Sequence, residues 1–89
     1  MQVTVPPERY DHPYNGVVIE RVLPLDEVRK LCVYIGVGPA DGCSGYVTLQ
    51  DGAQACFVVL PTDGFDNIDN YRRHEIAHCN GWPANHMSE

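Results

Sequence analysis

The chain has 89 residues, a formal net charge of −6 and only 6 Lys and Arg. That length supports one small domain, burying about 60–65% of its unfolded surface at best, so the core is marginal and a bound metal would act as a staple. The acidic balance, with no basic run longer than Arg29-Lys30 or Arg72-Arg73, excludes a surface that tracks nucleic-acid phosphates.

Met1 to Tyr14 holds Pro6, Pro7 and Pro13 and no apolar core. This predicts an extended arm over residues 1–15 and neither a secretory signal nor a membrane segment. The longest apolar runs, Leu31 to Gly38 and Ala55 to Leu60, are too short to span a bilayer, so no membrane partner and a cytoplasmic location are expected for the chain as written. His12, in the arm, reads as a solvated histidine. Gly16 to Leu23 is rich in Val and Ile and predicts a strand. Pro24 suits a first helical turn, Asp26 and Glu27 favour its positive end, and Leu25, Val28, Leu31, Cys32 and Ile35 recur with helical period, which predicts a helix over 24–34.

Gly36, Gly38, Pro39, Gly42 and Gly45 mark a loop, and without G-K-[ST] or a following helix it is not a phosphate cradle. Tyr46 to Gln50, Asp51-Gly52 and Ala53 to Leu60 predict a β-hairpin closed by a two-residue Asp-Gly turn. Cys32, Cys43, Cys56 and Cys79 form no C-x-x-C pair, so an all-cysteine zinc site is excluded. Their apolar neighbours and the expected compartment favour buried thiols over disulfides.

The last predicted helix begins near Asp66 or Asn67 as cap, with Asp69 in its first turn. On it Tyr71, His74, Glu75 and His78 share one stripe that faces a site rather than the core. Within the stripe, His74-Glu75-Ile76-Ala77-His78 is H-E-x-x-H: two imidazoles about one turn apart reach one Zn2+, and Glu75 meets its water as general base. Gly81 and Trp82-Pro83 end the helix, Trp82 clamping it by packing, and His86 follows as third ligand, expected ahead of Cys43 or a carboxylate. Tyr34, Tyr46 and Tyr71 are each candidates to stabilise an oxyanion.

The order hairpin, loop, H-E-x-x-H helix, glycine turn and further histidine resembles the zincin metallopeptidases, and H-E-x-x-H-x-x-G their metzincin branch. H-E-I-A-H-C-N-G-W followed by a histidine is similar to very small zincin-like proteins of phages and proteobacteria. The resemblance implies zinc at His74, His78 and His86, Glu75 as catalytic base, a peptide or protein substrate, and substrate added as an extra strand to Cys56, Phe57, Val58, Val59 and Leu60. Two departures stand out: His86 comes five residues after Gly81 instead of three, and Met87 directly follows it, so no separate methionine turn is present. Peptide deformylases share smaller pieces, Gly42-Cys43-Ser44 and His78-Cys79-Asn80-Gly81, which implies Cys43 as ligand in that alternative. The glutamine-bearing glycine motif of that family has no counterpart in Gly36 to Asp41.

The expected fold is therefore α+β: a small antiparallel sheet with a hairpin, one helix before it, and a C-terminal zinc-binding helix packed on the sheet. The expected function is zinc-dependent hydrolysis of peptide or related amide bonds. The competing expectation is a zinc-stabilised interaction module without turnover.

Overall fold

The computed structural model describes residues 3–86; Met1 and Gln2 at the start of the expected arm, and Met87 after the third histidine, lie outside the described residues. Strand β1 (Val18–Leu23) leads into helix α1 (Leu25–Tyr34), followed by strands β2 (Cys43–Thr48) and β3 (Gln54–Pro61) and helix α2 (Ile68–Cys79). The fold is α+β, with α2 packed on the sheet as expected. Among the described residues no helix is long and apolar enough to cross a membrane.

The sheet order is β1-β3-β2, β3 running antiparallel to β2 and parallel to β1, so the sheet is mixed where the sequence suggested an antiparallel one. Composition explains why β3 takes the centre. Ala55 to Leu60 is a continuous apolar run, suited to a strand covered on both faces, whereas β1 carries Glu20 and Arg21 and suits an edge. Alternate residues of β3 point to opposite faces. Cys56, Val58 and Leu60 pack with Tyr71 and Cys79 on the α2 side, and Val59 packs with Val28, Cys32 and Cys43 on the α1 side. Each fully buried Val or Leu contributes about 1.5–3 kcal/mol relative to exposure.

The hairpin forms, with a different turn. Gly52 N–H bonds Leu49 O at 3.0 Å, Leu49 N–H bonds Ala53 O at 2.8 Å, and only Gly52 has positive φ, at 86°. Those bonds describe a turn of three residues whose glycine forms a bulge, which relieves Asp51 of the positive φ that a two-residue turn would demand.

The cysteines differ from expectation as well. Cys32 is bonded to Cys43 and Cys56 to Cys79, leaving no free thiol. The apolar neighbours that read as surroundings for thiols suit buried disulfides equally. One bond ties α1 to β2, the other α2 to β3, so each helix is covalently fixed to the sheet.

The arm, which contains a short helical turn at Glu8–Tyr10, lies against α2. Asn80 Nδ2 donates to the carbonyls of Tyr10 and His12 at 2.9 and 2.6 Å, Arg73 pairs with Asp11, and Val3 N–H donates to Asp66 at 2.9 Å.

Candidate metal centre

Helix α2 is held at both ends by its own sequence. Asn67 Oδ1 accepts from Asp69 N–H at 2.7 Å, satisfying an otherwise unpaired donor of the first turn, and the acidic Asp69 suits that end. At the other end Gly81, at φ 107°, lets its own N–H reach His78 O and Trp82 N–H reach Ala77 O, both at 3.1 Å. This paired closure places the residue after the glycine back over the helix. Trp82 is accordingly buried at 3% exposure, its ring stacked on His78 at 4.7 Å and edge-on to His74 at 4.9 Å.

The chain then turns again at Pro83 to His86, closed by His86 N–H on Pro83 O at 2.9 Å. His86 is the one non-glycine residue with positive φ among those described, at 58°, a conformation disfavoured for a side chain with a Cβ. It returns the imidazole to the helix. His78 Nε2 lies 3.3 Å from His74 Nε2 and 3.1 Å from His86 Nε2, so the three histidines expected from sequence converge on one point and could hold a metal ion.

Protonation makes that arrangement informative. His74 Nδ1 faces Thr4 O and His78 Nδ1 faces Trp82 O, each at 2.8 Å. A carbonyl oxygen only accepts, so both Nδ1 atoms carry the proton and, in the neutral rings, both Nε2 atoms present bare lone pairs. Two such lone pairs 3.3 Å apart repel each other, and a cation between them satisfies both. Nitrogens bound at about 2.0–2.1 Å to one tetrahedral ion lie about 3.3 Å apart, which matches the spacing found. Burial also holds His74 and His78 below the ordinary imidazole pKa, keeping the donor form neutral.

Glu75 is 5% exposed, and its Oε2 lies 4.0 Å from His74 Nε2. Burial pushes its carboxyl up to about 7, partly offset by a hydrogen bond from Ser44 on β2. A carboxylate in this range can both take and return a proton near neutral pH.

The histidines and Glu75 open into a cavity of about 640 Å3, walled on one side by Ser44, Gly45 and Tyr46 of β2. Of the three tyrosines, Tyr46 and Tyr71 line it, while Tyr34 is 87% exposed at the end of α1 and is not among its walls. Tyr46 already donates to Cys79 O at 2.6 Å. His12 stays exposed in the arm.

Two expectations are overturned. Cys56, Phe57, Val58, Val59 and Leu60 cannot receive a substrate strand, because β3 is hydrogen-bonded on both sides, and all but Phe57 are 0% exposed. The strand beside the cavity with an outer edge is β2. Cys43, the sulfur ligand of the deformylase-like alternative, has its Sγ committed to Cys32 and cannot serve as a thiolate.

Sequence reasoning missed Thr4, Ser44 and Asn80 as supports, and it took Trp82 only as a helix clamp. Trp82 had a usable signal, since the residue after a helix-ending glycine packs back on the last turn. Thr4 had none, because it acts through its backbone carbonyl. Comparison with protein-family models, with curated proteins and with solved structures returned no match.

Proposed function

We propose that this chain is a zinc-dependent hydrolase of peptide or related amide bonds. The observation that carries the reading is the facing pair of Nε2 lone pairs on His74 and His78, joined by His86 Nε2, with a buried carboxyl 4.0 Å from the first of them. Three imidazoles suit zinc among other divalent metals, and three protein ligands are the number usual in catalytic zinc sites. His74, His78 and His86 would hold the ion, which would supply Lewis acidity toward water and a carbonyl oxygen.

The chain's own residues supply the rest. Thr4 O and Trp82 O orient the two helix imidazoles. Glu75 accepts a proton from water at its carboxylate and returns it to the leaving amine nitrogen. The substrate backbone runs along the outer edge of β2, which replaces β3 in that role. The paired cysteines fit an oxidising compartment better than the cytoplasm that the sequence suggested.

One observation favours a second reading. Through His74 Nδ1 and Thr4 O, the centre also fastens the arm to α2, as a purely structural metal in an interaction module would. Glu75→Gln separates the two. For the hydrolase, the zinc form of this variant keeps its metal and loses about 10²- to 10⁴-fold in peptide-library turnover. Wild-type zinc protein that cleaves nothing, with stability strongly dependent on zinc, would favour the structural metal.

A further inference from the structure

Three consecutive residues at the end of α2, His78, Cys79 and Asn80, each hold a different part of the molecule. His78 carries the central Nε2 of the histidine cluster, 3.3 Å from that of His74 and 3.1 Å from that of His86. Asn80 holds the arm through the carbonyls of Tyr10 and His12. Cys79, between them, is bonded to Cys56 of β3. Cys56 is a fixed anchor, fully buried, with its backbone opposite Val18 of β1 on one side and Tyr46 of β2 on the other. The peptide link from His78 to Cys79 therefore ties an imidazole of the cluster to the centre of the sheet.

The other ties on this end of α2 are not covalent. Tyr46 donates to Cys79 O at 2.6 Å, Trp82 N–H reaches Ala77 O at 3.1 Å, and the Trp82 ring stacks on His78. Helix ends fray, so without the disulfide the last turn becomes the least constrained part of α2. The bond is also open to attack from one side. Cys79 lines the cavity that holds the histidines and is 6% exposed, whereas Cys56 is 0% exposed. Cys43 lines the same cavity, but its bond to Cys32 ties β2 to α1, and no histidine adjoins either cysteine in the chain.

We infer that the Cys56–Cys79 disulfide is a redox latch on the metal centre: reducing it loosens the last turn of α2 and releases the ion. The reductant is a small dithiol that enters the cavity. Its first thiolate attacks Cys79 Sγ, the Sγ–Sγ bond breaks, and Cys56 leaves as a thiolate that takes up a proton. The second thiolate then attacks the reductant's own bound sulfur, the reductant departs as a cyclic disulfide, and Cys79 takes up a proton. Two electrons thus pass from the dithiol to the two cysteines. The coupling is reciprocal, so the factor that reduction takes from metal affinity is the factor by which the bound ion resists reduction. Groups that position a metal-binding imidazole typically change affinity about 10- to 100-fold, which sets the expected size of the effect. The device confines a loaded centre to oxidising conditions, and it rests on the metal centre of the proposed reading, not on hydrolysis.

The test is calorimetric zinc titration of Cys32→Ala/Cys43→Ala protein, in which only the latch remains, before and after reduction by a water-soluble phosphine that takes up oxygen from water as the two thiols form. Reduction is expected to weaken zinc binding about 10- to 100-fold while β3 amides stay protected from exchange. In glutathione redox buffers, saturating zinc should lower the midpoint potential of the Cys56–Cys79 bond by about 30–60 mV, the same factor converted at about 30 mV per tenfold. Cys56→Ala/Cys79→Ala protein should bind zinc as weakly as the reduced form, with or without the phosphine. If a double variant does not fold, stepwise reduction of wild type with alkylation mapping shows whether zinc release follows Cys56 and Cys79, as expected, or Cys32 and Cys43, which would overturn the latch. Unchanged or tighter binding after reduction, or zinc lost only together with β3 protection, would overturn it too. Zinc bound alike in both redox states leaves the metal centre standing without a latch, whereas oxidised protein that binds no zinc removes the centre and the latch together.

Discussion

On the α1 side of the sheet the core consists of apolar groups alone, Val28, Cys32, Cys43 and Val59, whereas α2 on the other side also buries His74 and Glu75. Both sides have a helix, a share of β3 and one disulfide, so the contrast lies in chemistry rather than architecture. Burying an imidazole and a carboxyl costs free energy that apolar packing does not. The α1 side is explained by stability alone, and the buried imidazole and carboxyl of the α2 side are not.

The largest expected effect separates the two sides directly. If the centre holds zinc, His74→Ala should weaken its binding by at least about a thousandfold, because one of three ligands and the anchor of the arm are lost together, at a cost of only about 1 kcal/mol in metal-free stability for the lost bond to Thr4. Val59→Ala should do the reverse, costing roughly 2 kcal/mol from a buried cavity with metal affinity unchanged. Calorimetric zinc titration and denaturant melts of both variants check this; a loss of zinc affinity in Val59→Ala would show the sides to be coupled.

The disulfides sharpen the same comparison. Closing loops separated by 11 and 23 residues stabilises by about 3 kcal/mol each in the chain-entropy account, so removing either pair by double alanine substitution should lower stability similarly. Metal affinity should fall only without Cys56–Cys79, since Cys79 follows His78 and fixes the last turn of α2. Equal metal affinity in both double variants would mean that the helix caps alone hold the ligands.

Glu75 tests the cost of burial. Its carboxyl is raised to about 7 from an ordinary 4.5, so the folded state holds the proton more tightly than the unfolded one. The contribution is fully present below about 4.5 and is lost as pH rises through about 7. At about 1.4 kcal/mol per unit, metal-free Glu75→Gln should therefore be more stable than wild type by about 3 kcal/mol at pH 8, and by little at pH 4. Denaturant melts at both pH values measure it; no gain at pH 8 would mean that water or movement relieves the buried carboxylate.

How much was legible in the chain follows the same division. The convergence of His74, His78 and His86 was readable because one helical turn and one glycine turn convert sequence spacing into geometry. The helices were readable from their period, Asn67 and Pro24 marking their starts. The pairing of β1 with β3 was not, because the two strands meet across α1 and β2, and no local spacing encodes that meeting. A signal lay in Ala55 to Leu60 nonetheless: an unbroken apolar run belongs at the centre of a sheet, which excludes the substrate role assigned to it. The disulfides were misjudged through the compartment, an inference carried over from the arm and not from the cysteines.

The smallest expected effect concerns the arm, which belongs to neither face yet completes one of them. Asn80 Nδ2 donates to both Tyr10 O and His12 O, and the same arm supplies Thr4 O to His74. Asn80→Ala should cost about 1–2 kcal/mol, since two modest hydrogen bonds are lost where water can partly replace them. Zinc affinity should fall by only a fewfold, because Thr4 still reaches His74 whenever the arm is docked. Amide exchange is the measurement that tells: it should quicken at Tyr10 and Asp11, whose N–H groups bond within the arm's short helical turn, and stay slow in β3. If zinc affinity instead fell as far as in His74→Ala, the arm would be a full partner in binding the metal, and the α2 side could not hold its ligand set without it.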